Sequence, residues 1–316
     1  MSTTKIATRD AYGKALVKLG ESRPDLVVLD ADLSKSTKTA DFAKAFPERF
    51  FEVGVAEQNL MGTAAGLAAA GKLPFASSFA IFATGRAFEQ IRNTIAYPHL
   101  GVKIAATHAG ITVGEDGASH QSIEDVGLMR MLPNMTVIVP ADAVETEKAV
   151  WAAAELPGPV YLRLGRLAVP QVYPGDYRFT VGKAVVMREG SDLTFIANGL
   201  MVNEALVAAE SLQARGVSAR VLNLHTVKPL DEAAVIQAAR ETGAIVTAEE
   251  HSVIGGLGSA VAEVLGENCP VLMKRVGIYD RFGESGKPEA LLEKYGLTAR
   301  HLVTAAEEIL ARKNRS

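Results

Sequence analysis

The chain has 316 residues, with 33 Lys and Arg against 36 Asp and Glu for a net charge of −3, and 48% hydrophobic against 22% charged residues. Such a length exceeds the roughly 100–200 residues of a common domain, so two domains are expected, and the near-average composition excludes a disordered, collagenous or repeat-built chain. A balanced charge without a basic block removes the attraction on which non-specific nucleic-acid binding rests. No apolar stretch approaches the roughly 18 residues of a membrane helix, and the start MSTTKIATRDAYG lacks the apolar core of a signal peptide, so a cytoplasmic protein is expected. The single cysteine, Cys269, has no second thiol for a disulfide or zinc pair and reads as packed or half-buried.

In chain order, apolar runs of strand length fall at Leu26–Leu29, Phe50–Val53, Pro74–Ala76, Val102–Thr107, Thr136–Val139 and Val160–Leu164. Helical periodicity lies between them, around Ala11–Leu19, Thr37–Phe46, Asn59–Ala70, Thr84–Ala96 and Val144–Ala154. Short apolar strands separated by helices predict a parallel sheet covered on both faces, hence an α/β domain over residues 1–170. Prolines and a glycine in Val169–Tyr177 break the pattern and predict a linker over about 171–183. Alternation restarts with strands at Ala184–Met187, Leu193–Ile196, Ala219–Leu222, Ala244–Thr247 and Val271–Val276. The intervening helices cover Val202–Arg215, Leu230–Arg240, a segment after Gly258 and a final stretch to about Lys313, giving a smaller α/β domain over 184–316. Open α/β sheets bind ligands at the carboxyl ends of their strands, so the loops after strands are the places to look for chemistry.

Three such loops are rich in polar residues: DADLSKS at 30–36, GVAEQN at 54–59 and HAGITVGEDGASHQ at 108–121. The last carries His108, Glu115, Asp116 and His120 among three glycines, more titratable groups than packing requires. A metal site at His108, Asp116 and His120 is one reading, although no close ligand pair such as HxxxH is present. A solvated turn, or hydrogen bonding to a polyhydroxylated ligand, are the others. Glu57 opens a helix of small residues, NLMGTAAGLAAAG, where an acid suits the helix dipole whether or not it has chemistry to do. Phe79 and Phe82 in SFAIF are spaced either for core packing or for a ligand's flat face.

Together ATR, ADLSKS, FFEVGVAEQN, SFAIF, VGEDGASHQ with an upstream histidine, LPN followed by PAD, HTVKPLD and EEHSVIGGLGSA resemble, in order and spacing, the C-terminal half of transketolase. The resemblance covers nearly the whole chain. It implies a thiamine diphosphate pyrimidine-binding domain with a mostly parallel sheet, then a smaller transketolase C-terminal domain. Glu57 matches the glutamate that meets N1′ of the cofactor's aminopyrimidine and drives a proton relay to thiazolium C2, a role that needs a protonated carboxyl, which a buried apolar setting makes easier. Phe79 and Phe82 match the aromatic residues beside the pyrimidine, with Gly85 where a third ring often stands, and Asp32 matches a further cofactor-binding position. Arg9, Ser36, His108 and Arg166 match residues that hold the sugar phosphate, with Arg163 as the alternative to Arg166. Asp116 and His120 match those that bind hydroxyls near the reacting carbons. His108 and His120 join Glu57 as catalytic candidates.

The family's metal-binding GDG motif with following asparagines is missing, so no metal ligand is expected on this chain. The resemblance therefore implies a partner chain carrying the diphosphate-binding domain and the Mg2+ ligands, in an α2β2 assembly. Gly255, Gly256 and Gly258 read as a helix start, and no catalytic role is expected for His225 or His251; His99 and His301 suggest only surface. The function implied is transfer of a two-carbon ketol unit from a ketose phosphate to an aldose phosphate. The competing readings are a subunit like 1-deoxyxylulose-5-phosphate synthase, the beta subunit of a 2-oxoacid dehydrogenase, and a non-catalytic binding subunit. A specialised transketolase acting on an unusual sugar is also compatible with the residues.

Overall fold

The computed structural model describes residues 4–315. Its larger sheet has seven strands in the order Phe50–Glu52, Leu26–Asp30, Leu73–Phe79, Lys103–Thr107, Val160–Arg163, Thr136–Ile138 and Thr226–Lys228. Every pairing in it is parallel except the last. The central strands LVVLD and KIAAT bury every residue, as strands with helices on both faces must. On one face Tyr12, Leu16 and Leu19 of the helix Thr8–Ser22 pack with Phe42 and Phe75. On the other, Leu60, Met61 and Ala64 of the helix Glu57–Ala69 pack with Ile91 and Ile104.

A second sheet has five strands in the order Leu272–Ile278, Ala244–Ser252, Leu193–Ala197, Ala219–Asn223 and Val185–Arg188, parallel except for the last. The protein is thus α/β throughout, with two mostly parallel sheets. The halves are not independent, because Thr226–Lys228 leaves the second half to pair antiparallel with Thr136–Ile138 of the first. Leu224, Val227, Val235 and Leu257 join the same core as Leu60 and Ile104. Among the described residues no helix is long and apolar enough to cross a membrane.

Two predicted helices come out differently. The stretch 37–46 is two short helices, Ser34–Thr37 and Ala40–Ala45, with Lys38 between them in the left-handed region at φ 71°. The cause is Asp30, whose buried carboxylate accepts the Leu33 N–H at 2.7 Å and the hydroxyls of Thr37 and Thr39 at 2.6 and 2.9 Å, offering this segment alternatives to a helical ladder. The stretch 84–96 is a short α-helical piece, Phe88–Gln90, between two π-helical turns, Phe82–Arg86 and Ile91–Ala96. Such turns are rare and tend to occur at functional sites. The sequence also hid two short antiparallel strands, Lys5–Ala7 and Ala168–Pro170, and the helix Asp125–Met131.

Asp125 explains Arg163. Arg163 donates to both Asp125 oxygens, at 2.7 and 3.1 Å, and to the Glu250 carbonyl at 2.9 Å, while the Tyr161 hydroxyl donates to Asp125 at 2.6 Å. Burial opposes ionisation of Asp125, but the charge and hydrogen bonds of Arg163 prevail and hold its carboxyl below the usual carboxylate range. Breaking a buried pair by removing one member leaves an uncompensated charge, so Arg163→Met should cost about 3–5 kcal/mol in a denaturant unfolding measurement. A loss below about 1 kcal/mol, the range of exposed pairs, would contradict a structural role.

Candidate active site

The three polar loops meet at the carboxyl ends of the larger sheet. Glu57 follows the strand Phe50–Glu52 through a turn at Gly54, which adopts φ +71°, and begins the helix of small residues. Its side chain is only 2% exposed, yet one oxygen lies 2.8 Å from Arg86 Nη1. Its setting is thus enclosed but not wholly apolar, because a cation stands beside it. Phe79 ends the strand Leu73–Phe79 and Phe82 opens the first π-helical turn, which brings their rings to 5.9 Å and within 12° of parallel. His108 stacks on Phe79 at 3.7 Å, and the edge of His120 meets Phe82 at 5.2 Å.

His108 follows the strand Lys103–Thr107 and is held at φ 58°, a left-handed conformation uncommon for a residue with a Cβ. Arg9 Nη1 lies 3.0 Å from His108 Nε2, and the Thr107 hydroxyl 2.8 Å from Nδ1. A guanidinium can only donate, so Nε2 accepts and the imidazole carries its proton on Nδ1, facing Thr107. Burial, followed by the charges of Arg9, Arg166, His120 and Lys38, pushes this imidazole down to about 3. Arg9 also donates to the Ser36 carbonyl at 3.1 Å, while its Nε is buried without a partner. An unpartnered guanidinium N–H within a positive cluster suits an anionic oxygen.

Arg166 extends that cluster, donating to the Val113 carbonyl and lying 3.6 Å from Glu115 and 3.8 Å from Asp116. It is partly exposed, whereas Arg163 is consumed by Asp125, so Arg163 is ruled out as the alternative anion ligand. Ser36 contributes its backbone carbonyl to this arrangement. Asp32 is exposed at φ 59°, and its N–H donates to Glu52, which also accepts the Gly54 N–H. Among the described residues no group of three or more His, Cys, Asp or Glu is arranged to hold a metal ion.

Sequence reasoning missed what positions these groups. The second half grips the loop 108–121: Glu250 accepts the Thr112 N–H at 2.7 Å, and Gln121 Nε2 donates to the carbonyls of Ile111, Gly114 and Glu284. Gly110, at φ +80°, is required there, since a Cβ would lie 2.2 Å from the Glu250 carboxylate. Lys38 and Arg86 were missed as well. Arg86 carried a signal, the four-residue spacing from Phe82 that places two side chains of a helical segment on one side. The Gly255–Gly258 segment starts the helix Leu257–Asn268 as expected; the Leu257 and Gly258 N–H groups are taken by Glu249, which closes that end to an outside anion. His251 accepts the Gly127 N–H at 3.3 Å and His225 is buried beside Thr226.

A buried carboxyl, two near-parallel rings and two histidines leading to an arginine whose Nε–H lacks a partner suit a flat nitrogen heterocycle at one end and an anionic substrate at the other. Residues 4–171 match the model of the transketolase pyrimidine binding domain, and residues 182–302 that of the transketolase C-terminal domain. The chain belongs to the transketolase family. It is 53% identical over 292 residues to a putative transketolase C-terminal section of Methanocaldococcus jannaschii, covering 92% of each chain. It is 49% identical to a 6-deoxy-6-sulfo-D-fructose transketolase subunit of Clostridium sp. strain MSTE9, covering 97% of this chain and 95% of that one. A solved structure described as a split gene transketolase, inactive beta4 tetramer, is 63% identical and superposes with a TM-score of 0.91, covering 97% of this chain and 99% of that one. Each of these three is matched along nearly its whole length.

The His108 environment sets a pH expectation. The unfolded imidazole titrates near 6.5 and the folded one at about 3, so the folded protein binds fewer protons between those values. Its contribution to stability is present above about pH 6.5 and lost as pH falls towards about 3. Histidine ring NMR should show His108 without an inflection between pH 8 and 5. A midpoint near 6.5 would contradict the buried, cation-flanked ring.

Proposed function

We propose that this chain is the C-terminal subunit of a split transketolase that moves a two-carbon ketol unit from a ketose phosphate to an aldose phosphate, active with a partner chain. The observation that carries this reading is the series of contacts from Glu57 through Arg86 to Phe82, from Phe82 to Phe79 and His120, and from Phe79 through His108 to Arg9. An acid, a ring seat and an anion grip stand in the order that an aminopyrimidine cofactor and a phosphorylated sugar would require. Thiamine diphosphate, when bound, supplies the nucleophilic carbon and the electron sink.

Glu57 holds and passes the proton at the aminopyrimidine N1′. Phe79 and Phe82 seat the ring and keep water from it. His120 and Asp116 face the sugar hydroxyls, and neutral His108 continues that row towards the phosphate, which Arg9 and Arg166 hold with Ser36. The chemistry lacking here is a means to neutralise the diphosphate, so the partner chain carries Mg2+ and the diphosphate-binding domain, in an α2β2 assembly in the cytoplasm. The description of the 63% identical tetramer as inactive agrees with a subunit that needs such a partner. A beta subunit of a 2-oxoacid dehydrogenase would have no phosphate for the Arg9 and Arg166 cluster to hold. A specialised variant is supported by the sulfo-fructose relative, because a sulfonate is an anion that the same arginines would grip.

The test is ketol transfer by the chain alone and with its partner, across ketose phosphates, aldose phosphates and sulfonated sugars. The chain alone should give no turnover and the pair should; magnesium-dependent transfer by the pure chain would defeat the claim. Arg166→Ala removes a charge-assisted contact of about 1.5–3 kcal/mol, roughly a 10- to 150-fold loss in kcat/KM for phosphorylated substrates. Hydroxypyruvate, which does not reach the anion end, should be little affected. Equal losses for both substrate classes would make Arg166 structural.

A further inference from the structure

The proposed acid is already engaged by a residue that the proposed mechanism does not use. Arg86 Nη1 lies 2.8 Å from Glu57 Oε2, and the Arg86 guanidinium carbon sits 4.8 Å from the centre of the Phe82 ring. These are the two contacts an aminopyrimidine would need, an edge towards a carboxyl and a flat face on an aromatic ring. A guanidinium resembles that heterocycle in the relevant respects, being planar and presenting an N–C–N edge. The same Glu57 oxygen and the same ring face cannot serve both at once.

Backbone geometry lets the side chain come and go while the seat stays in place. Arg86 ends the π-helical turn that begins at Phe82, and its carbonyl accepts Gln58 Nε2 at 3.3 Å, tying the turn to the start of the Glu57 helix. The Arg86 side chain is 50% exposed, so a path to solvent is open, while the Glu57 side chain it pairs with is enclosed. Pairing with Arg86 gives the enclosed Glu57 carboxyl a hydrogen-bond partner.

We propose that Arg86 is a displaceable placeholder for the cofactor's aminopyrimidine. It occupies the seat between Glu57 and Phe82 until the ring arrives and then swings into solvent. This rests on the thiamine diphosphate reading above and adds a cost to cofactor binding, the loss of a half-exposed ion pair and of a cation–ring contact.

The experiment measures the Kd of thiamine diphosphate with Mg2+ for the assembled enzyme, unmodified and carrying Arg86→Ala or Arg86→Lys, by calorimetry without turnover. Arg86→Ala should bind roughly 3- to 30-fold more tightly, the combined worth of an exposed ion pair and a cation–π contact. Arg86→Lys, which keeps the charge and loses the plane, should fall between. Unchanged or weaker binding by Arg86→Ala would overturn the placeholder while leaving the cofactor reading intact. Failure of the unmodified assembly and both variants to bind would overturn the two together. On the unmodified assembly, the Arg86 Nε–H resonance should shift when thiamine diphosphate is added; an unmoved signal overturns the proposal whatever the variants do.

Discussion

Glu250 lies buried between the two halves of the chain, and its carboxylate fills the space that a side chain at Gly110 would take while accepting the Thr112 N–H at 2.7 Å. Burial pushes this carboxyl up to about 7, against the opposing pull of the Arg163 charge. The next link is the Arg163–Asp125 pair, since Arg163 also donates to the Glu250 carbonyl. The loop that presents His108, Asp116 and His120 is thus held at its base by its own sheet and along its length by the second half. A loop with glycines at φ +80°, +86° and +76° has no ladder of its own to keep it in one conformation. That constraint assigns the second half a positioning role at the site, although none of the candidate chemistry-bearing residues comes from it.

Electrostatics divides the site into two ends. At one, Arg9, Lys38 and Arg166 surround a histidine that stays neutral, so the cluster presents arginine donors to an anion without asking the imidazole to ionise. At the other, a half-exposed arginine meets an enclosed carboxyl. Stacked and edge-on rings of Phe79, Phe82, His108 and His120 separate the two. Such a division is what the proposed function asks for, proton transfer at one end and an anion grip at the other.

The sequence made the α/β class legible because the strands LVVLD and KIAAT are apolar on both faces and bounded by helical periodicity. Glu57, Phe79, Phe82 and His108 could be singled out in the sequence because each stands at the end of a strand or the start of a helical segment, and His120 because it lies in the polar loop after a strand, all in motifs of recognisable order. What was not legible depends on distant contacts. Asp30 breaks a predicted helix through hydrogen bonds to Thr37 and Thr39. Thr226–Lys228 is too short to announce a strand, and its crossing into the other sheet is visible only in three dimensions. Arg163 and Arg166 are three residues apart and alike as letters; only the buried Asp125 distinguishes the structural one from the available one. Arg86 went unnoticed because a helical pattern hides a π-helical turn.

Whether Glu57 passes the proton that activates the cofactor, as proposed, can be read from hydrogen–deuterium exchange at thiazolium C2 in the assembled enzyme. Glutamine in place of Glu57 keeps the side chain's volume and cannot pass a proton to N1′, so exchange in Glu57→Gln should slow by about 10²–10⁴-fold with cofactor still bound. An exchange rate equal to that of the unmodified assembly would show that the carboxyl at position 57 is not the activating group.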